Sequence, residues 1–310
     1  MYMSIDVAKH TNTGVAGAIG FWGQTAAGSI INPDDVLTAF GDKVLFSAAQ
    51  SVVAYDNQTL FMVGSFMPSL NESEYTDGIF YTKDGGQTYG YSNWNVDTYP
   101  RYGAASQSGW IITGGTWPAS STQRLIDGYV PISQHFGAQI GDIERKALKL
   151  VEQPRGTNVD SAGYVGKLAF SPDQGETWEL VYEDFDRFYF NGAHCFENTC
   201  WAVAEGTTDA YIFQSTDGGR TWAENAIFPG KSLMDIEFRS ELEGWAVGGA
   251  FFENTFEAFF AHTVDGGVTW DTSETMPRAY PNGITITESG VAYASAFMQN
   301  GLSSVLAYHP

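Results

Sequence analysis

The stretch Ser215-Thr-Asp217-Gly218-Gly219-Arg-Thr221-Trp222 occurs, with small changes, four times in this chain. It returns as Thr263-Val-Asp265-Gly266-Gly267-Val-Thr269-Trp270 and as Ser171-Pro-Asp173-Gln-Gly175-Glu-Thr177-Trp178. A worn copy reads Thr82-Lys-Asp84-Gly85-Gly86-Gln-Thr88-Tyr89. The shared pattern, Ser/Thr-x-Asp-x-Gly-x-Thr-aromatic, is that of a tight turn between two strands. An Asp carboxylate accepts hydrogen bonds from the N–H groups of its own turn. Gly tolerates φ > 0 where the chain reverses. A β-branched Thr and an aromatic residue then start the next strand. Four copies are a repeat signal, and a structural role is expected for Asp84, Asp173, Asp217 and Asp265.

A second landmark, a Gly-aromatic-apolar strand, alternates with these boxes. It reads Gly109-Trp110-Ile-Ile-Thr-Gly-Gly115, Cys200-Trp201-Ala-Val-Ala204 and Gly244-Trp245-Ala-Val-Gly-Gly249, with weaker relatives from Thr59 and Gly290. From each box Asp to the next such strand the distance is 26 to 28 residues. From strand to the following box it is 24, 63, 16 and 20 residues. One repeat therefore carries an insertion of roughly 40 residues, at about 116–161. These intervals fit four-stranded units A to D with A innermost, the Gly-Trp strand as B and the box at the C–D turn. The expectation is an all-β chain, a single β-propeller domain over 1–310, of about six blades, with five and seven left open. The last 20 residues supply strands B and C without a fourth strand, so a strand from the N-terminal 1–45 is expected to close the ring, and the Gly- and Ala-rich Val15 to Ile31 leaves room for that strand and one degenerate blade. The insertion contains one predicted helix, Asp142 to Glu152, with Asp142 as N-cap and Ile143, Ala147, Leu150 and Val151 on one face.

Composition narrows the function. Lys+Arg 15 against Asp+Glu 36 gives a net charge of −21, which argues against nucleic acid and anionic membrane surfaces as partners. No apolar run approaches the ~18 residues of a membrane span. The opening Met1-Tyr-Met-Ser-Ile-Asp6 has no basic segment before an apolar stretch, so a secretory signal is either absent or already removed. Cys195 and Cys200 flank a predicted hairpin turn. Either a disulfide or two buried thiols fits; a disulfide would favour a secreted or organelle-lumen protein. Asn57-Gln-Thr59 and Asn71-Glu-Ser73 are glycosylation sequons compatible with secretion.

In this topology the insertion is a B–C connection and lies beside the mouth of the central channel, on the face opposite the boxes. The inner strands begin near that mouth, with Arg101 or Tyr102, Asn191, Asp235 and Asn282 as polar groups at an equivalent position and His194 just below. A convergent polar ring under an aromatic-rich lid is the default binding site. The bland alternative is that these groups cap strand ends and bind channel water. Asp235 and Glu237 fall on one strand face and, with Tyr102 or His194, are the candidates if the protein is an enzyme. No zinc spacing, phosphate loop or nucleophile elbow occurs, and no cofactor or metal is expected. The acidic run Glu183-Asp184-Phe-Asp186 lacks the alternating ligands of a calcium loop.

The box resembles the Asp-box (BNR) repeat of sialidases, xyloglucanase-type glycosidases, sortilin-type receptors and photosystem II assembly factors, all of them β-propellers. The early Arg-Ile-Pro motif of sialidases is missing, and the first Arg here is Arg101. Xyloglucanase-type enzymes place acids from two propellers in one cleft, which one propeller of this length does not provide. At repeat level, over about 50–300, the pattern is most similar to the assembly-factor family, although that family's arginine-rich patch contrasts with this acidic chain. The resemblance implies a non-catalytic propeller that binds a protein segment or a small-molecule or glycan ligand at the mouth, with a scaffold or assembly role. The alternative is a carbohydrate-active glycosidase or lyase.

Overall fold

The computed structural model describes residues 2–7, 14–18, 28–32, 35–39, 46–67, 76–88, 90–93, 99–116, 164–252, 255–287, 289–298 and 303–308, with the backbone alone up to residue 50. The chain is all-β over these residues. Five sheets have four strands. They are β1 (Tyr2–Val7), β2 (Gly14–Ala18), β3 (Gly28–Asn32) and β4 (Asp35–Ala39); β5 (Phe46–Ala54), β6 (Leu60–Met67), β7 (Thr76–Thr82) and β8 (Gly90–Asn93); β9 (Tyr99–Ser106), β10 (Gly109–Thr116), β11 (Val165–Ser171) and β12 (Glu179–Phe185); β13 (Phe188–Phe196), β14 (Thr199–Gly206), β15 (Asp209–Ser215) and β16 (Ala223–Pro229); and β17 (Ser232–Phe238), β18 (Gly244–Phe252), β19 (Thr255–Thr263) and β20 (Asp271–Pro277). A further sheet has three, β21 (Ala279–Ile286), β22 (Ala292–Met298) and β23 (Ser303–Tyr308). Each is an antiparallel meander in sequence order, the blade of a propeller. The first strands of successive sheets touch one another, β1 with β5 and so on through β9, β13, β17 and β21.

The expected strand roles hold. The Gly-Trp strands are second in their sheets, and all four boxes join third to fourth strands. Each box closes the same way. In the third copy Ser215 Oγ donates to Asp217 Oδ1 at 2.7 Å and accepts from the Gly219 N–H at 2.8 Å. Asp217 then accepts from the Thr221 amide at 2.9 Å and hydroxyl at 2.7 Å. Matching hydroxyl–carboxylate pairs join Thr88 to Asp84, Thr177 to Asp173 and Thr269 to Asp265, each at 2.6 Å. The two residues after the Asp take positive φ, 78° and 99° at Gly218 and Gly219, which is why the pattern asks for Gly there. Boxes also tie blades together: Ser106 donates to Gly218 O at 2.9 Å, and Gln214 Nε2 to Gly266 O at 3.0 Å.

The core lies between blades. Trp110, Trp201 and Trp245 are fully buried. Trp110 stacks on Phe61 of the preceding sheet, and Trp201 on Phe238 of the next at 3.5 Å. The Gly pairs that end the second strands make room for the next blade. A Cβ at Gly115 would lie 2.6 Å from Tyr189 Cβ, and one at Gly249 would lie 2.5 Å from the Tyr280 ring. Fourth strands are the exposed ones, and they carry acids such as Glu179, Glu183, Glu224 and Asp271.

Two expectations need comment. β1 does not complete the last sheet; it pairs with β2 from Val7↔Gly14 to Tyr2↔Ala18 and heads a sheet of its own. The N-terminal segment is thus the Gly- and Ala-rich degenerate blade, without the closing strand expected beside it, and β21–β23 has three strands among the described residues. The insertion and its Asp142 to Glu152 helix lie outside the described residues. Its two ends are paired, Thr116 opposite Val165, so it leaves the sheet as a connection between second and third strands.

Candidate functional site at the mouth of the ring

Every inner strand carries a bulge at the same height. Against its partner strand the extra residue is Met3 in β1, Gln50 in β5, Arg101 in β9, Met234 in β17 and Asn282 in β21, while in β13 Asn191 and Gly192 together oppose Val203. A bulge breaks the two-residue alternation and re-aims the side chains that follow. This corrects the sequence alignment of the polar ring by one place in β17. The equivalent of Arg101, Asn191 and Asn282 is Met234, whereas Asp235 matches Tyr102, Gly192 and Gly283.

An innermost strand is the edge of its sheet and needs partners for its free N–H and C=O groups. Side chains of the neighbouring blades supply them. Ser51 Oγ accepts from Gly103 N at 3.2 Å. Thr113 Oγ1 donates to Asn191 O at 2.7 Å, and Asn191 Nδ2 donates to Leu233 O at 2.9 Å. Asp235 Oδ2 accepts from Ile284 N at 3.0 Å, and Glu237 Oε1 from Ile286 N at 3.3 Å. Asp235 Oδ1 accepts from its own neighbour Ile236 N at 2.9 Å. The Ser51 and Asp235 bonds to the next strand are equivalent, one residue after each bulge. Asp235 and Glu237 do share a face, as alternation requires, and that face meets β21.

The remaining candidates fall into two groups. Arg101 is buried, and its guanidinium lies over the Tyr189 ring, 4.8 Å from the centroid. Tyr189 donates to Glu205 Oε2 at 2.6 Å and stacks on Tyr164, the first described residue after the insertion. Burial, then the Glu205 carboxylate, push the Tyr189 phenol well above its ordinary pKa. Tyr102 is part-buried; burial and then the charge of Asp235 push its phenol up to about 12, against the opposing pull of Arg101. Tyr102 and Asp235 each follow the bulge of their inner strand, with β13 and its Gly192 between them. His194 lies opposite Trp201 in the β13–β14 ladder and Asn282 at the bulge of β21.

Sequence reading missed Tyr189 and Glu205. The signal was present: Tyr99-Pro-Arg101, Tyr189-Phe-Asn191 and Tyr280-Pro-Asn282 repeat one spacing, with Ser232-Leu-Met234 as the fourth copy. Ser232 and Tyr280 are themselves joined, oxygen to oxygen at 2.5 Å. The acidic run is held by cations, Glu183 by Lys167 at 2.9 Å and Asp184 by Arg187 at 2.7 Å. Among the described residues no cluster has the make-up of a metal site, and no helix is long and apolar enough to cross a membrane. A cleft of about 210 Å³ lies away from the mouth, beside Trp222 and Asn225. Its amides already satisfy one another, Asn225 Nδ2 with Gln214 Oε1 and Asn225 Oδ1 with Trp270 Nε1. Cys195 and Cys200 face each other in the β13–β14 ladder and form a disulfide.

No protein-family model and no curated protein sequence matches the chain. Solved structures do. The GH74 xyloglucanase from Xanthomonas campestris aligns over 99% of this chain and 43% of its own, with a TM-score of 0.59 and 10% identity. The Hadza microbial sialidase Hz136 aligns over 97% of this chain and 64% of its own, with a TM-score of 0.50 and 10% identity. The fold is that of a sialidase-like β-propeller. The chain spans less than two thirds of either of these proteins, and identity at this level speaks for the fold alone. YCF48 bound to D1 peptide aligns over 100% of this chain and 91% of its own, at 12% identity and a TM-score of only 0.42.

Proposed function

We propose that this chain is one propeller domain over 1–310, with β21–β23 as its sixth blade, and that it is a non-catalytic binder. Its ligand, a protein segment or a small molecule or glycan, sits at the mouth against Arg101, Tyr102, Asn191, His194, Asp235 and Asn282. The insertion at about 116–161 forms a platform beside it. The observation that carries this reading is the use of Asp235: both its oxygens accept backbone N–H bonds, from Ile236 and Ile284. A carboxylate committed to holding strands is poorly placed to shuttle protons, and a phenol with a pKa near 12 is a poor base at neutral pH. The disulfide supports a secreted or lumenal setting. The resemblance of the repeats to photosystem assembly factors supports a scaffold role without naming a partner.

One observation favours the carbohydrate-active alternative: Asp235 and Glu237 share one face of β17, and Tyr102 holds the register position in β9 that Asp235 holds in β17. Two assays separate the readings. A photo-crosslinking residue at position 282 captures a discrete partner from the native extract, whereas one at Val268 on the box face does not. Release of reducing ends from any glycan in a polysaccharide panel, abolished by Asp235→Asn in a folded protein, overturns the binder reading in favour of a hydrolase.

A further inference from the structure

Asn-Gly pairs stand at two of the inner-strand bulges, Asn191-Gly192 in β13 and Asn282-Gly283 in β21. A third, Asn300-Gly301, lies outside the described residues. Such a pair carries its own chemistry, because a Gly amide has no Cβ to shield it from the Asn side chain before it. The fold treats the two bulge pairs differently. Asn191 is fully buried, its Nδ2 donates to Leu233 O at 2.9 Å, and its carbonyl accepts from Thr113 Oγ1 at 2.7 Å. Gly192 is closed in by β17: a Cβ there would lie 2.5 Å from Asp235 Oδ1 and 3.0 Å from Met234 O. Asn282 is half-buried, and among the described residues its side chain has no hydrogen-bond partner. As the extra residue of its bulge it also lacks a ladder partner in β22. The place of Thr113, opposite the residue after the bulge in the preceding blade, is taken there by Val247, which has no hydroxyl to donate. Gly283 is loosely surrounded: a Cβ would lie 3.1 Å from Ser295 Oγ and 3.7 Å from Asp235 Oδ2, and its φ is not in the left-handed region.

We infer that Asn282 is a site of spontaneous deamidation, with water as the co-reactant. The Gly283 nitrogen attacks Asn282 Cγ and gives up its proton. The N–Cγ bond forms, the Cγ–Nδ2 bond breaks, and Nδ2 leaves as ammonia. Water then opens the cyclic imide at either carbonyl, to aspartate or to isoaspartate. One water enters and one ammonia leaves, with no oxidant or reductant. Both products add a carboxylate to the layer of bulge residues, and isoaspartate also adds a methylene to the β21 backbone. The inner edge of the last blade therefore gains negative charge with age. This chemistry does not depend on the binding reading above.

The test holds the whole protein in mildly alkaline buffer at physiological temperature, once native and once in urea. Peptides are mapped over time by mass spectrometry, and isoaspartate is read by methyltransferase labelling. In urea Asn191 and Asn282 should convert at like rates, because both precede Gly and neither is held. In the native protein Asn282 should convert about tenfold faster than Asn191, whose Nδ2 must first leave Leu233 O. Gly283→Ala, verified as folded by its thermal melt, should slow conversion at Asn282 and leave Asn191 unchanged. A native Asn282 that stays intact while the urea sample converts would show that β21 protects it. Equal native rates at Asn191 and Asn282 would show that global unfolding exposes both. Either result, or a rate at Asn282 indifferent to Gly283→Ala, would overturn the inference.

Discussion

Gly219→Ala tests the account of the box turn in a single methyl group. Gly219 sits at φ 99°, a region in which a residue with a Cβ pays roughly 1–2 kcal/mol. The added Cβ would also lie 2.5 Å from Ile111 Cδ1 and 2.6 Å from its Cγ1. Ile111 is fully buried on the preceding blade and has nowhere to retreat, so overpacking adds about 1–3 kcal/mol. The two together predict a loss of about 2–4 kcal/mol, read as a lower midpoint in urea unfolding followed by tryptophan fluorescence. The first box position supplies the opposite experiment. Gln174 stands where the other copies have Gly, at φ 58°. Replacing it with Gly relieves the left-handed strain, about 1–2 kcal/mol, at an entropic cost of about 0.5–1 kcal/mol. Gln174→Gly should thus raise stability by up to about 1.5 kcal/mol. A Gly219→Ala protein within about 0.5 kcal/mol of the parent, or a Gln174→Gly protein clearly less stable, would show that backbone conformation does not dictate the Gly positions of this repeat.

Two further outcomes follow from the same geometry. Asp84 and Asp265 are held at about 2, below the ordinary 3.8, first by the hydroxyls and then by the amides of Thr88 and Thr269. Asp217 reaches about 2 although burial pushes it up, because the Thr221 amide and hydroxyl outweigh that cost. Groups depressed in the folded state contribute stability above their unfolded pKa and lose it as pH falls through the folded one, so the urea midpoint should fall between about pH 4 and pH 2; a midpoint flat across that window refutes the assignment. The Cys195–Cys200 bridge closes a short loop, with a sequence separation of 5, for which chain entropy gives about 2 kcal/mol. The paired Ala variant should lose about that much, and the parent should lose it on adding dithiothreitol; a parent indifferent to reductant contradicts the bridge.

The architecture was legible because it is written in local chemistry. The box pattern names residues that bond within the same turn, Ser215 and Thr221 to Asp217, so eight consecutive letters suffice. The Gly-Trp strands were legible because Trp110, Trp201 and Trp245 fill one repeated space. The mouth was harder. Its residues bond between blades, Asn191 to Leu233 and Asp235 to Ile284, and sequence spacing does not encode partners some 40 to 50 residues away. The bulge that every inner strand shares sets which residue faces which. Asp235 was nevertheless one place out of line with Asn191 in the sequence itself, because Ser232-Leu-Met234 matches Tyr189-Phe-Asn191 and Ser232 stands where the other copies have Tyr. The N-terminal blade was legible only as a degenerate one, with its strands unplaced, because its Gly and Ala runs carry neither a box nor a Gly-Trp strand.

Asp235 holds two backbone amides at the proposed mouth, and a pair of substitutions measures that role. Removing the carboxylate with Asp235→Ala strips the acceptor from the N–H groups of Ile236 and Ile284, both residues buried. An orphaned buried donor costs about 1–3 kcal/mol, and two that share one lost partner should cost about 2–4 kcal/mol together. Asp235→Asn keeps one acceptor oxygen in nearly the same place and retains one of the two bonds, so its loss should be about half as large. Urea midpoints of the two variants measure this directly. If Asn and Ala are equally harmful, the negative charge matters more than the acceptor, and the strand-anchoring role gives way to an electrostatic one. If both are neutral, the two amides find other partners and the carboxylate is free for a reaction after all. The expected order, parent above Asn above Ala, leaves Asp235 as a strut that holds β17 against β21.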